Sequence, residues 1–201
     1  IDKFFPENNI SLSATTFYLE YKNDIKGWKS HTGGVGGTYA LKNSDSKTES
    51  YGLELQTGWK PSDDYILNLG YTRTESYDGT TCDDPDATQG IGSNACLDEM
   101  TVRVPRNQIN LQGTKIFNDS LSQTLKIQAV GERRDYGTTK NEFQDVTLSK
   151  YFVADLVTNY NLFNAYNLNL SAKNIFDMDY STAYGYKSPS RSINFMINKK
   201  Y

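Results

Sequence analysis

The 201-residue chain is poor in the residues that most site chemistry uses. It has one histidine and two cysteines, too few for most zinc sites. Twenty-one Lys and Arg against 24 Asp and Glu give a net charge of −3, so the basic stripe of a nucleic-acid partner is missing. No run of eighteen apolar residues exists, which excludes a helical membrane span. Helical spacing of apolar residues is also absent, with Gly, Asn, Ser and Thr spread throughout. The chain does not open on methionine, nor on a basic stretch followed by an apolar one. A processed chain or a piece of a longer one is the expectation.

Aromatics are plentiful instead, at 13%, including fifteen tyrosines. Disordered chains lack such residues. Apolar residues recur with period two. Tyr51, Leu53, Leu55, Thr57 and Trp59 alternate with Gly52, Glu54, Gln56, Gly58 and Lys60. The same pattern runs through Tyr65–Tyr71, Leu125–Ala129, Tyr166–Ala172 and Ile193–Tyr201. Between Ile10 and Tyr21 the phase slips near Thr15, which suggests a bulge. It slips again at Pro105, where a ladder donor is missing.

The pattern predicts eight strands, at 10–22, 39–59, 65–77, 100–117, 121–134, 149–162, 166–177 and 190–201. The connections alternate. Lys60–Asp64, Asn118–Ser120 and Phe163–Ala165 are tight turns. Asn23–Thr38, Asp78–Glu99, Asp135–Leu148 and Met178–Pro189 are long and polar. Short turns on one side and long loops on the other are the plan of a transmembrane β-barrel. A strand of about twelve residues, at ~3.3 Å each and tilted near 45°, projects to roughly 28 Å, close to the hydrocarbon thickness. Trp59, Tyr65, Phe117, Phe163, Tyr166 and Tyr201 cluster at the short-turn ends, as an interfacial girdle does. The fold class expected is therefore all-β, an antiparallel transmembrane meander in contact with outer-membrane lipid. The polar face, with Glu54, Gln56, Lys126, Gln128, Asp155, Asn159 and Lys173, must then look into the lumen.

The stretch Asn174-Ile175-Phe176-Asp177-Met178-Asp179-Tyr180 resembles the penultimate-strand signature of TonB-dependent outer-membrane receptors. Tyr184-Gly185-Tyr186-Lys187-Ser188-Pro189-Ser190-Arg191 follows and is similar to a stretch in the cobalamin receptor branch, with Ser190 in place of a second glycine. Tyr51-Gly52-Leu53-Glu54-Leu55 and Val102-Arg103-Val104-Pro105-Arg106 also look like family landmarks. The resemblance implies the last eight strands of a 22-stranded barrel. Residues 1–201 would form its C-terminal part, without the signal peptide, plug and earlier strands. It implies uptake of a scarce ligand, cobalamin first and an iron chelate second, with no enzymatic activity. The partners implied are TonB with its inner-membrane energising complex, and the barrel-assembly machinery. A complete eight-stranded structural or adhesive barrel is the alternative from another class.

Tyr77, Tyr136, Tyr184 and Tyr186 lie at the long loops and are candidate ligand contacts, with an upper aromatic girdle as their other role. Phe195, Ile197 and Tyr201 close the chain as the assembly signal such barrels end on. Cys82 and Cys96 share one long loop, and a disulfide is expected in an oxidising compartment. Nearby Asp83, Asp84, Asp86, Asp98 and Glu99 match no EF-hand spacing, so a solvated loop is favoured over calcium. His31 beside Gly33-Gly34-Val35-Gly36-Gly37 lacks a nucleophile context, and no cofactor or resident metal is expected.

Overall fold

The computed structural model describes residues 1–22, 25–30, 39–43, 47–78, 99–139, 142–163 and 165–199. Alternating sequence becomes strand almost throughout. In chain order these are β1 (Asp2–Phe5), β2 (Ile10–Lys22), β3 (Ile25–Ser30), β4 (Tyr39–Asn43), β5 (Lys47–Ser62), β6 (Tyr65–Asp78) and β7 (Glu99–Met100). They continue with β8 (Asn107–Asn118), β9 (Leu121–Val130), β10 (Arg133–Thr139), β11 (Glu142–Leu148), β12 (Tyr151–Leu162), β13 (Tyr166–Lys173) and β14 (Ser192–Lys199). Among the described residues the one helical piece is a 3-10 turn at Pro6–Asn8, between β1 and β2.

Sequence neighbours pair antiparallel in the order β1-β2-β5-β6-β8-β9-β12-β13-β14, with β7 on the edge of β6. The consecutive meander expected from the turn pattern is therefore present. Two further hairpins, β3–β4 and β10–β11, extend the long-loop side. Among the described residues β14 has no partner beyond β13, and the sheet is open.

Several expected boundaries change. The strand expected over 39–59 is β4 plus β5, and part of the Asn23–Thr38 loop is β3. The Asp135–Leu148 loop is instead mostly the β10–β11 hairpin, whose register runs from Arg133↔Leu148 to Thr139↔Glu142. The strand expected over 166–177 ends at Lys173, because Asn174 and Asp177 both adopt left-handed backbone angles. The break at Pro105 is larger than a slip, since residues 101–106 leave the ladder altogether. No bulge occurs at Thr15, for β2 pairs β5 without a shift from Ile10↔Trp59 to Lys22↔Lys47.

Register fixes the faces. Leu12, Leu55, Leu69, Leu111, Leu125 and Leu170 stand on the outward face and are all largely exposed. A soluble monomer rarely leaves so large an apolar surface open. Phe5, Trp59, Tyr65, Phe117, Tyr160 and Tyr166 form the aromatic row at the short-turn end. Tyr18, Tyr51 and Phe152 lie on the same face toward the long loops. Eight residues separate Trp59 from Tyr51, which is ~26 Å along the strand and nearer 20 Å once tilted.

The opposite face curls around a concavity of about 1050 Å³. Glu54, Gln56, Asn68, Gln112, Lys126, Gln128, Asp155 and Lys173 line it, so the polar face expected to look into a lumen does line the hollow. Nearer the short turns, Asn159, Asn161, Asn167, Asn169 and Asn198 border a second hollow, with Asn169 donating to Asn159 at 2.7 Å. Among the described residues the few buried ones, Ser76, Val130, Arg133, Asp135, Gly137, Leu148, Ala154 and Asn174, all gather at the long-loop end. Among the described residues no apolar core lies between the faces, as suits a wall with lipid outside.

Candidate functional site

The long-loop end is held together by polar bonds that start from unusual backbone. β13 stops at Asn174, whose φ is +49°, and the turn that follows is closed by its own amide. Met178 N–H donates to Asn174 Oδ1 at 2.9 Å, while Asn174 Nδ2 donates to the carbonyls of Met178 at 2.9 Å and Pro189 at 3.3 Å. Its backbone N–H donates to Asp155 at 2.9 Å, which fastens the turn to β12. Asp177, at φ +53°, accepts the N–H of Arg191 at 2.7 Å and leads the chain back toward β14. Tyr180 packs against Tyr151 in a tilted pair with ring centroids 4.4 Å apart, and the Arg133 guanidinium lies 5.0 Å from the Tyr151 ring centre.

Asp135 is the centre of this end. It sits on β10 with no exposed surface. One carboxylate oxygen accepts from Tyr136 N–H at 2.8 Å and Arg103 Nε at 3.0 Å. The other accepts from Tyr184 N–H at 2.7 Å. Burial alone would push this carboxyl up. The Tyr184 and Tyr136 amides and the Arg103 guanidinium outweigh it and hold the group below the usual aspartate range. Arg103 itself is set by a left-handed φ of +64°, and its N–H donates to the Arg134 carbonyl at 2.7 Å. Arg133, also buried, donates to the Ser181 carbonyl at 2.6 Å. Arg134 reaches the Met100 carbonyl at 3.1 Å and Asp145 at 2.7 Å. Gly137 lets the Tyr184 ring lie on the hairpin, since a Cβ there would meet Tyr184 at 3.0 Å and Val146 at 2.7 Å.

Three of the four candidate tyrosines gather here. Tyr136 and Tyr184 are partly exposed on either side of Asp135, and Tyr186 is 74% exposed two residues beyond. Tyr77 stands apart, on the outward face, stacked on Tyr51 at 6.4 Å and donating to Glu75 at 3.2 Å. Phe195 and Ile197 lie with Ile193 on the outward face of β14. Tyr201, Cys82, Cys96, His31, residues 33–37 and the acidic residues from Asp83 to Asp98 lie outside the described residues, as does the Glu99 side chain. No group of three or more His, Cys, Asp or Glu side chains among the described residues could hold a metal ion. Sequence reasoning missed Asp135, Arg133 and Arg103 as a unit. The only signal was a charged run, Glu132-Arg133-Arg134-Asp135, at a strand end.

A curved antiparallel sheet, apolar and aromatic outside and polar inside, with short turns on one rim and folded loops on the other, is the wall of an outer-membrane β-barrel. The family model described as TonB dependent receptor-like, beta-barrel, matches residues 1–175, and the chain belongs to that family. Its place is the outer membrane. The FrpB iron transporter from Neisseria meningitidis (F5-1 variant) is similar in fold, with a TM-score of 0.71 at 15% identity over 96% of this chain and 29% of that one. The ferripyoverdine receptor of the outer membrane of Pseudomonas aeruginosa, bound to ferripyoverdine, gives 0.64 at 15% identity over 94% and 24%. The ferric-catecholate import receptor Fiu from K12 E. coli gives 0.65 at 17% identity over 94% and 25%. The chain thus spans about a quarter of each of these receptors.

The assignment to the cobalamin branch does not stand, because these structures are of receptors and a transporter for iron and its chelates. The stretch that suggested it has a local use. Tyr184 N–H serves Asp135, Ser188 N–H donates to the Tyr180 carbonyl at 3.0 Å, and Gly185 takes φ +78°. Those residues shape a turn, and a turn carries no record of a corrinoid.

Proposed function

We propose that this chain is part of an outer-membrane receptor for energy-dependent uptake of an iron–siderophore complex. TonB and its inner-membrane complex supply the energy, and the barrel-assembly machinery inserts the wall. Residues 1–201 form the C-terminal part of a 22-stranded barrel, with the plug, signal peptide and earlier strands supplied by the rest of the protein. The observation that carries the reading is a family match over residues 1–175 in a sheet whose polar hollow reaches Asn174, Tyr180 and Pro189, on the segment that also carries the exposed Tyr184 and Tyr186. Tyr136, Tyr184 and Tyr186 are the ligand-facing candidates, because their rings offer apolar area together with a hydroxyl donor. Tyr77 contributes to the upper girdle more readily than to the ligand face. Phe195, Ile197 and Tyr201 serve assembly.

The test is iron uptake by the full-length protein in a host stripped of its own siderophore receptors. Radioactive iron supplied as ferric tris-catecholate and ferric tris-hydroxamate complexes should enter cells carrying TonB. In cells without TonB the complexes should bind at the surface and stay there. A full-length protein that binds neither complex would end this reading.

A further inference from the structure

We propose that Asp135 is a positioning residue for ligand capture. Its carboxylate clamps three chain segments into one preformed body, which carries Tyr184 and Tyr186 on one segment and Tyr136 on another. The segments are residues 101–106, the β10–β11 hairpin and residues 178–189. The ligand clause rests on the receptor reading above, whereas the clamp stands on the geometry alone.

The bonds are arranged so that all three segments meet at the Asp135 carboxylate. Arg103 touches the carboxylate from the first segment at 3.0 Å, and Tyr184 N–H touches it from the third at 2.7 Å. Arg133 adds a second tie to the third segment through the Ser181 carbonyl. The Tyr184 ring on Gly137 adds an apolar one. A buried carboxylate stripped of water has a strong need for these donors, and removing one leaves the remainder of the cluster unbalanced. The chemistry therefore makes the segments interdependent. A rigid face loses less conformational freedom when it captures a ligand, so its affinity is higher than that of three independent loops.

Asp135→Asn retains the shape but gives one side of the clamp an N–H₂ group where an acceptor is needed. In the full-length protein in detergent, hydrogen exchange at amides 178–189 should quicken at least tenfold, with amides of β12 and β13 unchanged. Arg103→Gln should also quicken exchange at 178–189, because the Arg103 side chain and the Tyr184 N–H share the Asp135 carboxylate. The double variant should be no faster there than Asp135→Asn alone. Tyr184→Phe, which keeps the backbone donor and the ring, should leave exchange as it was. If Arg103→Gln loosens only 101–106, or the two effects multiply, the clamp is wrong.

The second arm uses the ferric tris-catecholate or tris-hydroxamate probe that the parent protein binds. Asp135→Asn should raise its dissociation rate at least fivefold. Quickened exchange with unchanged probe dissociation overturns the positioning role. A parent protein that binds neither probe refutes the receptor reading and the ligand clause together, and the exchange arm still decides the clamp.

Discussion

Asn174 uses both ends of its amide to close a turn that its backbone angle opens. Three side-chain hydrogen bonds depend on it, and it is 3% exposed. Buried hydrogen bonds contribute about 1 kcal/mol each, and orphaned partners raise the cost of deletion. Asn174→Ala should lower stability by roughly 2–3 kcal/mol, seen as a lower temperature for loss of the compact form on heat-modifiable gels. An unchanged transition would mean that the turn is held elsewhere. Asp135 makes a prediction in pH. Its folded-state pKa is depressed, so its stabilisation is complete above the ordinary aspartate value, about 3.9, and disappears as pH falls through the lower folded value. Exchange at the Tyr184 amide should therefore stay slow from neutral pH to about 4, after correction for intrinsic rates, and quicken only below. Asp135→Asn should abolish that acid step. Glycines divide by neighbour. A Cβ at Gly52 would collide with the Arg73 carbonyl of the adjacent strand and with the Phe17 ring, while at Gly70 the nearest atom is 3.9 Å away. Gly52→Ala should reduce the amount of assembled protein, and Gly70→Ala should leave it unchanged.

At the scale of elements, the turns differ in what makes them legible. Asn118 ends β8 and accepts the N–H groups of both Ser120 and Leu121 at 2.9 Å. This side-chain turn is written into Asn118-Asp119-Ser120, and the sequence placed it correctly. Asn118→Ala should cost about 1 kcal/mol of stability, measured by the same gel transition. Apart from β1, which none of the expected strands covers, and residues 101–106, the strands of the wall were equally readable, because one face meets lipid and the other polar surroundings, and period two survives wherever the faces differ. The β10–β11 hairpin was not readable. Its buried face carries Arg133, Asp135 and Gly137 and its other face Arg134, Tyr136 and Asp145, so polar residues stand on both sides, and the stretch passes for loop. The clamp was hidden for a related reason. Asp135 draws its donors from residues 32 and 49 positions away, a separation that no local pattern records. The cobalamin reading failed through the opposite fault, in which a short pattern was visible but its meaning was conformational.

For the whole molecule, burial is inverted relative to a soluble domain. The outward face of every long strand carries exposed leucine, isoleucine or aromatic rings. Lys22 and Lys47 join Glu20 and Glu49 in ion pairs on that same face above Tyr51, and Glu75, opposite Tyr51, pairs with Arg73 and Arg106. Hydrocarbon must therefore end near the Tyr18–Tyr51 row, with the ionic band among headgroups. Brominated lipids should quench Trp59, at the opposite rim, in the full-length protein when the bromine is placed near the headgroups. Equal quenching by bromines at mid-chain depth would contradict this placement.

The short first strand has a consequence in parity. β1 descends to the short-turn rim, with Phe5 opposite Ile10, and β14 descends to the same rim, with Lys199 opposite Tyr166. Along the nine-strand path, the first and last members thus point the same way. Joining them directly would make a parallel seam, which the even-numbered bacterial walls avoid. An all-antiparallel closure of this nine-strand path requires an odd number of further strands between β14 and β1. Cysteines at Phe4 and Asn194 should accordingly fail to cross-link in the membrane-embedded full-length protein. An efficient cross-link would show a seam that runs against the direction rule, and the wall would have to be recounted.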